Sequence, residues 1–196
     1  MSERENILEL KNVVYSFHTY GGEVKAVRDV SYEVRQGEIL GIVGESGCGK
    51  SVTAQCILRL NPEPPGFFEG GEILYKGQDV LKMSKKEIRK IRGREIGFVF
   101  QDPMTSLNPT MRVGAQIEEV FLGRTDVSKK EVKERAMDIM RLVGISDVEK
   151  RYKQYPHELS GGMKQRVMIA IALVSRPSVI ICDEPTTSPG SVVGTS

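Results

Sequence analysis

The sequence predicts an α/β fold with a β-rich leading lobe and an inserted helical lobe, and three observations carry that prediction. Ile7 to Phe17, Val24 to Val34 and Phe67 to Tyr75 are rich in Val, Ile, Leu and Tyr and are punctuated by glycine, as strands joined by turns are. Glu38 to Val43 is largely apolar and runs through Gly44–Ser51 into a helical stretch ending at Leu60, which is the strand, glycine loop and helix of an α/β unit. From Asp102 to about Pro156 the pattern turns helical. A helix from about Ser160 to Ser175 and a short apolar strand, Val179 to Cys182, then restore the α/β character.

In chain order, the near-continuous apolar stretch Ile39 to Val43 predicts a strand buried on both faces. A further strand is expected at Ile96 to Phe100, after a basic helix opened by the capping box Ser84-x-x-Glu87. Ser128-x-x-Glu131 opens another helix, whose Val132, Ala136, Ile139, Met140 and Val143 share one face, and Gly144 stands where its C-terminal cap belongs. Val179 to Cys182 is expected to be a buried strand with Asp183 and Glu184 at its carboxyl end. Beyond Thr187 the small-residue stretch 188–196 has no periodicity and is expected to form no regular structure.

Composition excludes several classes. The 196 residues suffice for one substantial domain or two lobes sharing a core. With 28 Lys+Arg against 26 Asp+Glu the net charge is only +2, which leaves no large footprint for a polyanion, so no nucleic-acid partner is expected. The longest apolar run, Val167 to Val174, falls far short of the ~20 residues that cross a bilayer, and the first residues lack a signal-peptide pattern. Cys48, Cys56 and Cys182 form no C-x-x-C pair, and His18 and His157 have no metal-ligand spacing, so a reducing cytosol without a disulfide framework or zinc site fits best.

Three motifs carry chemistry. Gly44-Glu45-Ser46-Gly47-Cys48-Gly49-Lys50-Ser51 matches G-x-x-x-x-G-K-[ST] between a predicted strand and a helix that continues through Val52. Successive N–H groups of such a loop form an anion nest, the helix directs its positive end at the same place, Lys50 adds a full charge on the β and γ phosphates, and Ser51 can ligate Mg²⁺. Asp183 and Glu184 at the end of an apolar strand suit a metal ligand and a group that orients or deprotonates an attacking water, respectively. Ser160-Gly161-Gly162 places a serine cap and two small residues at a second helix N-terminus; the plain alternative is that Ser160 only caps its helix.

In this order the motifs resemble those of ABC-type ATPases, and the resemblance covers residues 7 to 187. Gln101-Asp-Pro-Met-Thr-Ser-Leu-Asn-Pro109 and Tyr155-Pro-His-Glu-Leu-Ser-Gly-Gly-Met-Lys-Gln-Arg166 are similar to segments of the ATP-binding subunits of bacterial oligopeptide and dipeptide importers. The resemblance implies an α/β phosphate-loop nucleoside triphosphate hydrolase core over 1–187, with an N-terminal antiparallel β sublobe and an inserted helical sublobe at about 102–156. It implies ATP and Mg²⁺ as cofactors, with Lys50, Gln101 and Glu184 catalytic, and Ser51, Gln101 and Asp183 on the metal. Gly44 through Val52 would surround the phosphates, and Ser160, Gly161 and Gly162 would receive the γ-phosphate of a nucleotide held by a second subunit. Phe17 matches the aromatic that stacks on adenine, with Tyr15 and Tyr20 as rivals; His157 is expected to be structural.

The implied partners are membrane-spanning permease subunits, met through the segment after Gln101 and the helical sublobe, a second ATPase subunit, and indirectly an external substrate-binding protein. The implied place is the cytoplasmic face of the cell membrane, as a peripheral protein. The sequence departs from the family where Met163 replaces a glutamine, where Pro189-Gly190 stands in place of an Ala/Ser-Leu-Asp loop, and where no histidine follows His157. These departures imply a chain truncated after the Asp183-Glu184 segment and poor in hydrolysis. The alternatives are a nucleotide-binding or interaction module without significant ATPase activity, and the ATPase of a nickel-type importer. A chromosome-associated ATPase is disfavoured, because the interval between Lys50 and Ser160 has no space for a long coiled coil.

Overall fold

The computed structural model describes residues 5–122 and 127–184, which fall into two compact units, 1–89 and 90–196. In the first unit β1 (Asn6–Thr19) and β2 (Gly22–Arg35) form an antiparallel hairpin. Helix α1 (Lys50–Ile57) follows, then β3 (Gly66–Tyr75) and the short β4 (Gln78–Asp79), giving the sheet order β2-β1-β3-β4. A 3-10 turn at Val80–Lys82 leads to α2 (Lys85–Ile91). The capping box expected there forms: Glu87 N donates to Ser84 Oγ at 3.3 Å, and Ser84 N donates to the Glu87 carboxylate at 2.8 Å.

Strand β1 shows how a local irregularity preserves a core face. Side chains alternate along a strand, so Leu8 and Leu10 would share one face while Val13 and Tyr15 took the other. All four are buried, because a register shift between Leu10 and Val13, with Asn12 at φ 48°, changes the parity.

The second unit holds β5 (Ile96–Val99), α3 (Pro103–Ser106), α4 (Val113–Glu119), α5 (Lys129–Leu142), α6 (Val148–Arg151), α7 (Gly161–Leu173) and β6 (Val179–Cys182). Strands β5 and β6 pair in parallel, from Ile96 opposite Val179 to Val99 opposite Cys182. Helix α7 is apolar nearly all round because two of its faces are buried. Val167, Ala170 and Val174 join Val113, Ile117, Ala136 and Met140 in the helical core, while Met168 and Ala172 pack with Val99. The buried amide of Gln116 accepts from Asn108 N and donates to the carbonyls of Asn108 and Met111, each at 2.9 Å, which fixes the loop before α4.

Two expectations are corrected. Glu38 to Val43 is not a strand: Ile39 is 98 % and Val43 97 % exposed, and no strand among the described residues pairs with the segment. Apolar side chains supply what a buried strand would cover, but a strand also needs a neighbour to take its N–H and C=O groups. Strand β6 exists but is not buried. Among the described residues it is paired only with β5, and Ile180 and Cys182 stand exposed between half-buried Val179 and Ile181. The expectation for 188–196 lies outside the described residues.

Candidate functional site

In the first unit the loop 44–51 closes onto the start of α1. Gly49 occupies the cap position at φ 94°, a left-handed conformation, and a Cβ there would overlap the carbonyl oxygen of Ala26 in β2. The backbone can therefore turn into the helix while lying directly against the sheet. No side chain caps this N-terminus and no acidic residue sits in its first turn, so neither offsets the positive end of the helix. Lys50 Nζ donates to the carbonyls of Gly44 and Glu45 at 2.8 Å each, which folds the ammonium back across the loop. Cys48 Sγ lies 3.9 Å from the same nitrogen. Thr53 ties the first turn down, its N and Oγ1 both donating to Gly49 O at 2.8 Å.

Of the three aromatics considered for a planar ligand, Tyr15 has no exposed face. It is fully buried, with Phe68 edge-on at 4.7 Å, and burial pushes its phenol up to about 12. Phe17 is half-buried, one edge against Tyr15 at 5.3 Å, and Tyr20 is wholly exposed on the β1–β2 turn. Core packing removes Tyr15 from the candidates and leaves Phe17 and Tyr20.

In the second unit strand pairing assembles a polar cluster. Asp183 N donates to Val99 O at 2.9 Å, extending the β5–β6 ladder by one step. That step places Gln101 and Glu184 together at the carboxyl ends of both strands, with Gln101 Nε2 donating to Glu184 Oε2 at 2.7 Å. Asp183 is buried at 7 % exposure, whereas Glu184 is exposed and adopts φ 48°, unusual for a residue with a Cβ. The pair thus points one carboxylate inward and offers the other outward. Gly97 lets α7 approach β5 closely, since a Cβ there would overlap the carbonyl oxygen of Ala172.

The third motif opens α7. Ser160 is the N-cap, its Oγ accepting from Met163 N at 3.4 Å and its carbonyl from Lys164 N at 3.0 Å. A Cβ on Gly161 or Gly162 would meet nothing within 4 Å, so this chain's own packing requires no glycine at either place. Asp102, next to Gln101, caps α3 by accepting from Met104 N at 2.7 Å. His157 stacks on Tyr155 with ring centroids 5.7 Å apart, a packing contact. Sequence reasoning missed Lys164, Arg166, Met104 and Met168, which link α7 to its neighbours; their signal was only that three of them follow the Ser-Gly-Gly segment. Among the described residues no group of three or more His, Cys, Asp and Glu is placed to hold a metal. No helix among the described residues is long and apolar enough to cross a membrane.

The chain is 56 % identical over 182 residues to the oligopeptide transport ATP-binding protein OppD of Bacillus subtilis, covering 93 % of this chain and 51 % of that protein. It is 50 % identical to the dipeptide transport ATP-binding protein DppD of the same organism, covering 94 % of this chain and 55 % of the relative. It thus spans about half the length of the curated relatives it matches. Among solved structures it superposes with a TM-score of 0.81 and 30 % identity on the dimeric post-hydrolysis state of the ATP-binding cassette MJ0796 bound to ADP and Pi, covering 92 % of this chain and 75 % of that one. The family model described as ABC transporter matches residues 27–187. The α/β expectation and the resemblance are both borne out, and the chain belongs to the ABC transporter family.

Proposed function

We propose that the chain is an ATP-binding subunit that couples ATP binding and hydrolysis to the import of peptides through a membrane transporter. One observation carries the reading: the β5–β6 ladder joins Gln101 to Glu184 at 2.7 Å next to buried Asp183, and a carboxylate held by an amide in this way suits activation of a water for attack on a phosphate. In this reading Gly44 through Val52 cradle the phosphates, Lys50 neutralises their charge and Phe17 offers a face to the base. Ser51, Gln101 and Asp183 are the residues that would hold Mg²⁺, which would supply charge neutralisation at the phosphate oxygens. Glu184 accepts the proton of the attacking water, and the amide of Gln101 holds that carboxylate in place.

Gly161 and Gly162, open on the side where a Cβ would stand, suit the close approach of a nucleotide carried by a second subunit. Met104, at 62 % exposure, and exposed Phe100 offer an apolar surface around α3 for a helix of the permease. The peptide class rests on the names of the relatives, OppD and DppD. The subunit would then work at the inner face of the membrane, held by the permease.

The test is Mg-ATP binding by thermal shift, together with steady-state phosphate release, for the parent and Glu184→Gln. The expected result is binding in both and release lowered by about 10² to 10³ in the variant. Binding without any release in the parent would support a nucleotide-binding module instead, and absence of binding would overturn the site. Restoration of peptide uptake in cells lacking an importer ATPase tests the substrate class.

A further inference from the structure

We infer that Arg166 is a positioning residue that tethers α7 to the end of α5 and thereby sets the aim of the Ser160–Gly162 N-terminus. The local chemistry of α5 leaves a carbonyl for it. After Leu142 the helix closes in a Schellman motif, with Ile145 N donating to Met140 O at 3.0 Å and Gly144 N to Arg141 O at 2.9 Å. Gly144 takes the left-handed conformation at φ 78° that this motif demands, and Ile145 and Met140 pack together in the core. The carbonyl of Val143 has no amide of that motif to accept from. Arg166 Nη1 donates to it at 2.6 Å, setting a guanidinium at the negative end of the helix.

Gly144 serves twice. Beyond its backbone conformation, a Cβ at this position would meet Arg166 Nη1, so an added methyl would push the flexible end of the guanidinium off the Val143 carbonyl. On α7 the tether is opposed by contacts to α3: Lys164 Nζ lies 3.2 Å from Met104 Sδ, and Ser106 Oγ donates to Met168 Sδ at 3.2 Å. At about 100° per residue, Lys164 and Met168 share one side of the helix and Arg166 lies on the other. Helix α7 is thus gripped from two sides, by α3 next to Gln101 and by α5, and rotation about its axis is resisted at both. The N-terminus one turn before these contacts inherits that setting. The inference rests on the reading that this N-terminus receives a nucleotide bound by a second copy or a related subunit.

The experiment uses the full chain with Mg²⁺ and a non-hydrolysable ATP analogue, comparing parent, Arg166→Gln, Arg166→Lys, Gly144→Ala and the double variant Gly144→Ala/Arg166→Gln. Sedimentation reads nucleotide-driven association, thermal melting reads stability, and amide exchange reads segments 143–147 and 161–166. Arg166→Gln is expected to weaken association about tenfold or more, with nucleotide binding to single chains changed less than twofold, and Arg166→Lys to restore most of it. Gly144→Ala should cost less when combined with Arg166→Gln than in the parent, because removing the arginine removes the overlap. Association unchanged by Arg166→Gln, or Lys no better than Gln, would overturn the inference, as would additive effects in the cycle. If the parent does not associate, the two-subunit reading fails, and exchange still judges the tether: faster exchange at both segments in Arg166→Gln supports it, and unchanged rates overturn it.

Discussion

In the first unit the candidate phosphate site is a single contiguous stretch, Gly44 to Val52, whose shape is set by one helix start and one close approach to Ala26. In the second unit the candidate water-activating set is assembled from residues 83 positions apart, Gln101 and Glu184, and exists only while β5 and β6 stay in register. The contiguous site depends on local backbone geometry, so a local change should damage it and a distant one should not. The assembled site depends on a ladder and on the packing of α7 beneath it, so a distant change can damage it.

The largest contrast is chemical. Cys48 marks the loop and Cys182 the end of β6, both exposed, while Cys56 is buried on α1 and its burial pushes the thiol up to about 12. At pH 8 only about one Cys56 in ten thousand is then thiolate. Maleimide treatment followed by mass spectrometry should label Cys48 first, label Cys182, whose thiol burial also pushes up, more slowly, and spare Cys56. Mg-ATP should protect Cys48, and equal labelling with and without nucleotide would remove the loop as the binding place.

Next in size, Lys50→Ala should abolish the nucleotide-induced stabilisation, which at ligand ~100 times its dissociation constant is about 2.7 kcal/mol. The same variant gives up the bonds from Nζ to the exposed loop carbonyls of Gly44 and Glu45, so urea unfolding of the nucleotide-free variant separates loss of binding from loss of fold. A thermal shift as large as the parent's would show that the charge of Lys50 does not face the ligand.

Gly97→Val probes the assembled site from a distance. The added side chain would press on Ala172 and force α7 away from β5, at a cost of about 1–3 kcal/mol read by urea unfolding. Phosphate release should fall with it while Mg-ATP binding at the loop changes little. If binding and turnover fall together, the two sites are not built as differently as the comparison holds.

These contrasts track what the sequence made legible. The loop could be read because its chemistry is local: glycines, lysine and serine at fixed spacing specify the turn and the helix start together. The two hairpin strands of the β lobe, the capped helices and Gly144 were legible for the same reason, each depending on neighbours within a few positions. The bond between Gln101 and Glu184 was not, since it follows from a parallel register that no local pattern encodes. Glu38 to Val43 failed in the opposite sense: its side chains fit a buried strand, but strand formation requires a pairing partner, which composition does not report. Arg166 was hidden because a surface arginine looks like any solvated charge until the carbonyl it meets is known.

The smallest expected effect concerns Ser160, which separates capping from ligand binding at the start of α7. Ser160 Oγ accepts from Met163 N at 3.4 Å, a long bond, so Ser160→Ala should destabilise the second unit by only about 0.5 kcal/mol, the low end for loss of a cap. Asp at this position caps as well as Ser and complements the helix dipole, so Ser160→Asp should restore or exceed the parent's stability in urea unfolding. An anionic ligand reverses that ranking, because the added carboxylate would repel phosphate where the hydroxyl donates to it. Nucleotide-driven association measured for the three forms should therefore follow Ser160 best, Ala lower and Asp lowest, while stability follows Asp and Ser above Ala. Association that simply parallels stability would mean that Ser160 is a cap and nothing more.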